Sequence, residues 1–187
     1  GNHSLATAKT CYENLKKVMP QEQWADLPAR YALVEIENLH DDALQFEAIH
    51  RVVFGVDPAK FMEAFKAFYP NAQEGKGEGH VIEVVWPGHD GYITVPDPKV
   101  QLPVGTLQNF LDWYLARHKG VRVDYIHGED VARKLAAQPD TVGFLLPAMG
   151  KEELFPTVIR DGVLPRKTFS MGHAHDKRFY LEARKIR

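Results

Sequence analysis

Apolar residues recur at two different spacings along the chain, and each spacing predicts a different kind of element. A first helix is predicted where apolar residues return every three or four positions before Pro20, at Leu5, Ala8, Tyr12 and Leu15. The same spacing predicts further helices over 57–70, 104–118, 128–138 and 151–162, the last interrupted by Pro156. Helices therefore occur throughout the chain.

Short runs rich in β-branched and aromatic residues, some of them with a period of two, predict strands between these helices. Two hairpins are expected, one from 29–39 and 44–55 joined by an Asp-containing turn, the other from 80–86 and 91–95. Further strands are predicted over 121–127, 141–147, 167–171 and 177–186. In the strand over 44–55, a period of two places His50 on the apolar face and Arg51 on the opposite face.

The order of these elements predicts the fold class. Hairpins dominate the first half, whereas helices and strands alternate in the second, so we expect an α/β domain, with α+β as the alternative. A mixed β-sheet with hairpins and packed helices would form one domain over residues 1–187. The alternative is two lobes, 1–98 and 99–187, divided at the proline-rich stretch around residue 98.

Composition excludes several classes of protein. The net charge is −2, from 23 basic and 25 acidic residues, which argues against a general binder of nucleic acid or membranes. No apolar run approaches the ~20 residues that a membrane helix needs. The single Cys11 cannot form an internal disulfide and fits a reducing cytoplasm, so a cytoplasmic location is predicted.

The first residues point to a longer protein. The chain opens with "GNHSLATAK", without an initiator Met or the pattern of a signal peptide, and it starts almost inside a helix. We therefore expect a C-terminal fragment, whose N-terminal region would be a partner in any shared site.

The start of the first helix is a candidate anion site. Asn2, His3 and Ser4 surround a helix N-terminus, where free N–H groups and the helix dipole attract negative charge. The alternative is an ordinary helix cap.

His50 and Arg51 form a second candidate. Arg can hold a carboxylate or phosphate with two parallel hydrogen bonds, and His can donate beside it. The alternative is a hydrogen-bonded core histidine beside a surface arginine.

The segment 164–179 contains the densest group of cations near the end of the chain. It carries Arg166, Lys167, Lys177 and Arg178, with hydroxyl groups on Thr168 and Ser170. Such a set suits phosphate or carboxylate, although a solvated strand end is the equal alternative.

A metal site is a further candidate in this segment. His173 and His175 are two residues apart, so in an extended chain both imidazoles could point the same way, with Asp176 nearby. The alternative is a solvated or ion-paired loop.

Three stretches of the chain, residues 1–9, 31–53 and 164–186, together resemble the domain-of-unknown-function family 1015, which consists of prokaryotic proteins of roughly twice this length without a settled activity. Gly1 to Ser4 are similar to its Asp-Gly-Asn-His-Ser helix start, and the preceding acid lies outside this sequence. That start is in turn similar to a signature of the partition-protein-B and sulfiredoxin superfamily. The resemblance implies a helix start that binds a nucleotide phosphate, in a superfamily that includes free-serine kinases. Ser4 stands where related motifs have Arg, so Arg51 or Arg166 would have to supply that charge.

These observations lead to one function hypothesis and two rivals. The first is a cytoplasmic enzyme or sensor that binds a phosphorylated small molecule or nucleotide, with His3 contacting the anion or moving a proton. Phosphoryl transfer would also require Mg²⁺, whose ligands the sequence does not assign. The rivals are a non-catalytic interaction module and a metal-dependent hydrolase using His173, His175 and Asp176. The first hypothesis depends on the helix start and the basic segment meeting in one pocket.

Overall fold

The computed structural model describes residues 2–34 and 36–172, except for the side chains of Asn2 and His3. These residues form two compact units that divide at residue 40.

The first unit is mainly helical. Helix α1 spans Asn2–Lys16 and confirms the predicted first helix, and two short 3-10 helices follow at Gln21–Asp26 and Pro28–Arg30. Trp24 ties this unit together, because its indole N–H donates to the Met19 carbonyl at 3.0 Å and its ring lies 4.7 Å from the Lys16 ammonium. The Tyr12 hydroxyl adds a bond to the Trp24 carbonyl at 3.4 Å.

The predicted strand over 29–39 is wrong. Residues 31–34 and 36–38 have no regular secondary structure, and Leu33 and Ile36 are 98% and 95% exposed. The predicted first hairpin is therefore also absent from the described residues.

The second unit contains all seven strands of the described chain and four helices. In chain order they are β1 Phe46–Phe54, α2 Pro58–Phe68, β2 Gln73–Glu74, β3 His80–Trp86, β4 His89–Val95, α3 Pro103–Leu115, β5 Arg122–His127, α4 Glu129–Ala136, β6 Thr141–Leu145, α5 Leu154–Asp161 and β7 Phe169–Met171. Local sequence signals explain the start of α2. Asp57 caps α2 by accepting from the Lys60 backbone N–H at 3.1 Å, and Pro58 occupies its first turn.

The strands form one sheet in the order β2-β4-β3-β6-β1-β5, with β7 paired to the start of β1. All six pairings among the described residues are antiparallel, where a mixed sheet was expected, and this favours the α+β form of the predicted fold. The hairpin of β3 and β4 is confirmed. Because β3 pairs directly with β6, the sheet connects residues on both sides of residue 98. The prediction of a single domain over the whole chain is not tested by this arrangement.

Helices α2 and α3 cover one face of the sheet with aromatic rings. Phe61 and Phe65 of α2 contact Phe110 of α3 at centroid distances of 5.2 and 4.9 Å, mostly edge to face. Phe144 of β6 lies 6.0 Å from Phe61, and all four rings are fully buried. This aromatic layer stabilises the face of the sheet that carries Phe144 and the residues of β1 paired with it.

Helix α4 covers the opposite face. Ala132 and Ala136 pack against Val52, Val85 and Leu145. Arg133 on the same helix binds three carboxylates, donating to Glu129 at 2.8 Å, to Asp90 at 2.9 Å and to Glu83. Helices therefore cover both faces of the sheet at strands β1 and β6.

No described helix combines the length and the apolar character that crossing a membrane would require. An antiparallel sheet with packed helices confirms the predicted class of fold.

Candidate anion-binding site

Strand β1 places an arginine in the interior. Both faces of the strand are buried from Ile49 to Val53, so Arg51 is 0% exposed. A surface position for Arg51, the alternative predicted from the sequence, is therefore wrong. Alternation along one strand cannot reveal that a second layer of helices also covers its polar face. Arg51 pairs across the sheet with Tyr125 of β5 and Phe144 of β6, on the face that α2 and α3 cover.

The guanidinium of Arg51 is only partly satisfied. Nη1 donates to the Ile49 carbonyl, and Nη2 donates to the Arg166 carbonyl at 2.9 Å. Nε is buried without a hydrogen-bond partner, and no carboxylate of the described residues forms an ion pair with this side chain. Burial lowers the pKa of Arg51 to about 10, so the group still carries its charge at neutral pH. Within residues 2–34 and 36–172, this buried positive charge therefore has no counter-charge.

Two more cations lie beside Arg51. The Arg51 guanidinium carbon and the Lys167 ammonium lie 4.8 and 5.3 Å from the centre of the Tyr125 ring. Arg166 is half-exposed and binds Asp112 of α3 through Nη2. Among the described residues, Asp112 is thus the single carboxylate paired with Arg51, Arg166 or Lys167.

The backbone at this point is also unusual. Lys167 has a φ of 51°, in the left-handed region that residues other than glycine seldom adopt. The Thr168 hydroxyl holds the turn by donating to the Pro165 carbonyl at 2.6 Å. Strained backbone of this kind clusters at ligand sites, where the surrounding structure holds it in place.

His50 lies on the other face of β1 from Arg51, next to the layer formed by α4. Its Nδ1 accepts a hydrogen bond from the Leu146 backbone N–H at 3.1 Å, and burial lowers its pKa. This contact joins β1 to the end of β6. The structure therefore gives His50 a structural bond and does not bring it together with Arg51.

The remaining candidates are placed as follows. Ser170 lies on β7, opposite Glu47 of β1, and its hydroxyl donates to the Gly172 carbonyl at 3.4 Å. Ser4 is exposed in the first turn of α1, and Asn2 and His3 begin that helix. These three belong to the first unit, so their convergence with Arg166 stays a prediction.

Four predicted site residues, His173, His175, Asp176 and Lys177, lie outside the described residues. Within residues 2–34 and 36–172, no three His, Cys, Asp or Glu side chains are arranged to hold a metal ion. The metal-site hypothesis for the closing segment stays a prediction.

Sequence reasoning missed three members of this site. From the sequence, Tyr125 is predicted only as part of a strand, and Asp112 and Gln108 only as part of an amphipathic helix. Gln108 is buried, and its Nε2 donates to Asp112 Oδ1 at 2.8 Å. The available signal was the spacing of Gln108 and Asp112, four residues apart on the polar side of a helix.

Comparison with known proteins shows the family of the chain. A family model described as "Protein of unknown function (DUF1015)" matches residues 1–115, more than half of the chain. The chain belongs to the DUF1015 family. The resemblance seen in the sequence is thereby confirmed, whereas the similarity to the partition-protein-B superfamily stays a prediction. No curated protein gives a significant match.

Solved structures share the fold of this DUF1015 protein. A free serine kinase mutant in complex with AMP aligns with a TM-score of 0.57 and 18% identity, over 83% of this chain and 66% of the kinase chain. A second mutant of a free serine kinase with AMP gives the same TM-score and coverage at 19% identity. A conserved hypothetical protein from Pyrococcus furiosus aligns with a TM-score of 0.56 and 19% identity, over 84% of this chain and 69% of that chain. This chain thus spans just under two thirds of the kinase chains, and at such identity the likeness establishes the fold alone.

Proposed function

We propose that this protein binds a phosphorylated small molecule or nucleotide, with the anion held by Arg51, Arg166 and Lys167 beside Tyr125. The observation that carries the proposal is the fully buried charge of Arg51, which has no carboxylate partner and an unbonded Nε in the part of the chain that the structure describes. A buried charge costs free energy unless an opposite charge or a set of hydrogen bonds compensates it. An anionic ligand would supply both.

Three features favour phosphate over a neutral ligand. The cluster has an excess of positive charge, since Asp112 is the single paired carboxylate among the described residues. Arginine offers parallel donors that match the oxygens of a phosphate group. The AMP in the two kinase structures of the same fold adds support for a nucleotide as the ligand.

Phosphoryl transfer is the reaction that such a site would serve, because that chemistry depends mainly on positioning and on neutralising charge. In this proposal Arg51 and Lys167 neutralise the phosphate, and Arg166 orients it. Mg²⁺ would be required in addition.

Isothermal titration calorimetry with AMP, ADP and inorganic phosphate tests the binding proposal. Lys167→Gln removes an exposed cation of the site, and we expect it to weaken binding about tenfold, the value of one charge-assisted hydrogen bond. Lys134→Gln is the matched control, because Lys134 is exposed on α4, against the opposite face of the sheet. It should leave the dissociation constant within about twofold, since a distant exposed charge is largely screened.

Two results would overturn the proposal. One is the absence of binding heat for all three ligands at millimolar concentration. The other is equal weakening by Lys167→Gln and Lys134→Gln, which would indicate attraction to overall charge and not to a site. Circular dichroism of each variant confirms that the fold is retained.

A further inference from the structure

Three buried side-chain atoms of the described residues lack a hydrogen-bond partner, and two of them flank Arg166. They are Arg51 Nε, Gln108 Oε1 and Thr157 Oγ1. Arg51 donates to the Arg166 carbonyl at 2.9 Å, while Gln108 donates to the carboxylate oxygen that binds the Arg166 guanidinium. An unpartnered donor and an unpartnered acceptor thus lie at the two ends of one chain of hydrogen bonds.

The orientation of the Gln108 amide is set by chemistry. Asp112 carries a carboxylate that can only accept, so the Gln108 nitrogen must face it, at 2.8 Å. The carbonyl oxygen of the amide is then the atom without a donor, and Gln108 is only 4% exposed. A buried acceptor without a donor is destabilising, whereas an apolar side chain of similar size would not be.

The stripe of α3 that carries Gln108 faces the basic segment. A Cβ placed on Gly105 would lie 3.8 Å from Pro165, and Asp112 on the same stripe binds Arg166. Positions 105, 108 and 112 share one face of a helix by their spacing of three and four. Gln108 therefore lies on the face of α3 whose positions 105 and 112 contact the segment that also supplies Arg166 and Lys167.

We propose that Gln108 is a specificity-determining residue, whose carbonyl accepts a hydrogen bond from a free hydroxyl group of the bound phosphate ester. This inference rests on the proposed function and narrows its ligand to phosphate esters that keep a hydroxyl group, either a small polyol phosphate or a nucleotide with its ribose. Arg51 and Lys167 bind the phosphate, and Gln108 distinguishes the hydroxyl-bearing ester from one without it. A site built to hydrogen-bond a hydroxyl group rejects the analogue that lacks it, because the buried polar group is left unpaired.

Titration calorimetry with two pairs of esters tests this assignment. Glycerol 3-phosphate and propyl phosphate share the phosphate and a three-carbon chain and differ in two hydroxyl groups. AMP and 2′,3′-dideoxy-AMP differ in the same way on the ribose. We expect the wild-type protein to prefer the hydroxyl-bearing member of at least one pair by about tenfold or more, and the pair that shows it identifies the source of the hydroxyl.

Gln108→Met separates a role in specificity from a structural role. Met has a similar volume and no buried acceptor, so the variant should be at least as stable as wild type in urea unfolding, and it should bind the two members of each pair within about threefold of each other. A structural role predicts the opposite: lower stability and equal weakening for both members.

The outcomes distinguish this inference from the proposed function. Equal binding of both members of each pair by the wild-type protein, or a preference that Gln108→Met retains, would overturn the role of Gln108 and leave the anion site intact. Absence of binding for all four esters and for inorganic phosphate would overturn both.

Discussion

The Arg51 guanidinium donates to the Arg166 backbone carbonyl at 2.9 Å, which joins two residues that are 115 positions apart in the chain. The bond fixes the start of the basic segment to strand β1, which lies between β5 and β6. The Arg166 side chain is held separately by Asp112 of α3. The turn at Lys167 is thus anchored to a strand and a helix, which positions its cations before any ligand arrives.

Arg51→Met should separate stability from ligand binding. The change removes donors to two carbonyls, but it also removes a buried charge without a counter-ion, and these effects oppose each other. We expect the free energy of unfolding to change by no more than about 1 kcal/mol. If phosphate or AMP binds the wild type, it should raise the Tm, and this rise should be absent in Arg51→Met. Thermal unfolding with and without ligand measures both.

Arg133→Met is the contrasting variant, because that arginine is bound by three carboxylates, one of which, Glu83, is mostly buried. We expect it to lower stability by about 1–2 kcal/mol and to leave the ligand-induced rise in Tm intact. A large loss of stability in Arg51→Met with the ligand effect retained would contradict the binding role of Arg51.

Asp112→Asn should increase anion affinity at little cost in stability. The Asp112 and Arg166 side chains are both 51% exposed, and pairs exposed to this degree contribute less than about 1 kcal/mol. Asn keeps an oxygen that can accept from Gln108, but it no longer neutralises Arg166. We expect the dissociation constant for phosphate to fall several-fold at low salt, with the gain shrinking as ionic strength rises. Unchanged or weaker phosphate binding would argue that Asp112 does not compete with the ligand for Arg166.

Strand β1 shows what the alternating pattern of its sequence could predict and what it could not. Alternation correctly predicted a strand and put His50 and Arg51 on opposite faces. It could not show that β1 lies between β5 and β6 with helices on both sides, since that depends on pairings with residues far away in the chain, such as Arg51 with Tyr125. Arg51 is therefore a core residue, although its pattern is that of a surface residue.

Residues 31–34 and 36–38 show the converse failure. They are as rich in β-branched and aromatic residues as a strand, yet they form none, because a strand also needs a partner for its backbone groups and the sequence pattern does not supply one. The predicted hairpin of β3 and β4 is confirmed, because its two strands are neighbours in the chain and are joined by Pro87 and Gly88. The residues that surround Arg51 were missed for the same reason, since Asp112, Tyr125 and Arg166 come together only through tertiary packing.

Acid should destabilise the protein partly through His80. This buried imidazole lies 2.8 Å from the Thr106 hydroxyl and 3.3 Å from the Gln101 carbonyl, and burial lowers its pKa, against the opposing effects of that carbonyl and Asp161. Above a pH of about 6.5 both folded and unfolded states are neutral at this residue. Below it the unfolded chain binds the proton more readily, so the free energy of unfolding falls until the pH passes below the folded-state pKa.

His80→Gln tests this dependence, because Gln can accept from Thr106 and donate to Gln101 without titrating. Urea unfolding between about pH 5 and 8 should show a smaller loss of stability on acidification in the variant than in the wild type. His50, whose pKa burial also lowers, should account for part of the remaining slope, so His50→Gln combined with His80→Gln should be flatter still. An identical slope in wild type and His80→Gln would exclude the assignment.

Gly143 sets how closely α4 approaches the sheet. A Cβ at this position would lie 2.7 Å from the Ala136 Cβ and 2.9 Å from a methyl group of Val85. Gly143→Ala should therefore force the helix from the central strand β6 and cost about 1–3 kcal/mol, as overpacking in a core does. Ala136→Gly alone should cost about 1 kcal/mol, because glycine is unfavourable in a helix.

The double variant decides whether the contact itself is the cause. If the two methyl groups compete for one space, Gly143→Ala with Ala136→Gly should be less destabilised than the sum of the single changes, by at least about 0.5 kcal/mol in urea unfolding. Gly77→Ala is the control, since a Cβ there would meet its nearest atom, on Thr94, at an ordinary 3.6 Å. Strict additivity of the pair would assign the cost of Gly143→Ala to Val85, because that is the other side chain within 3 Å of the added methyl group.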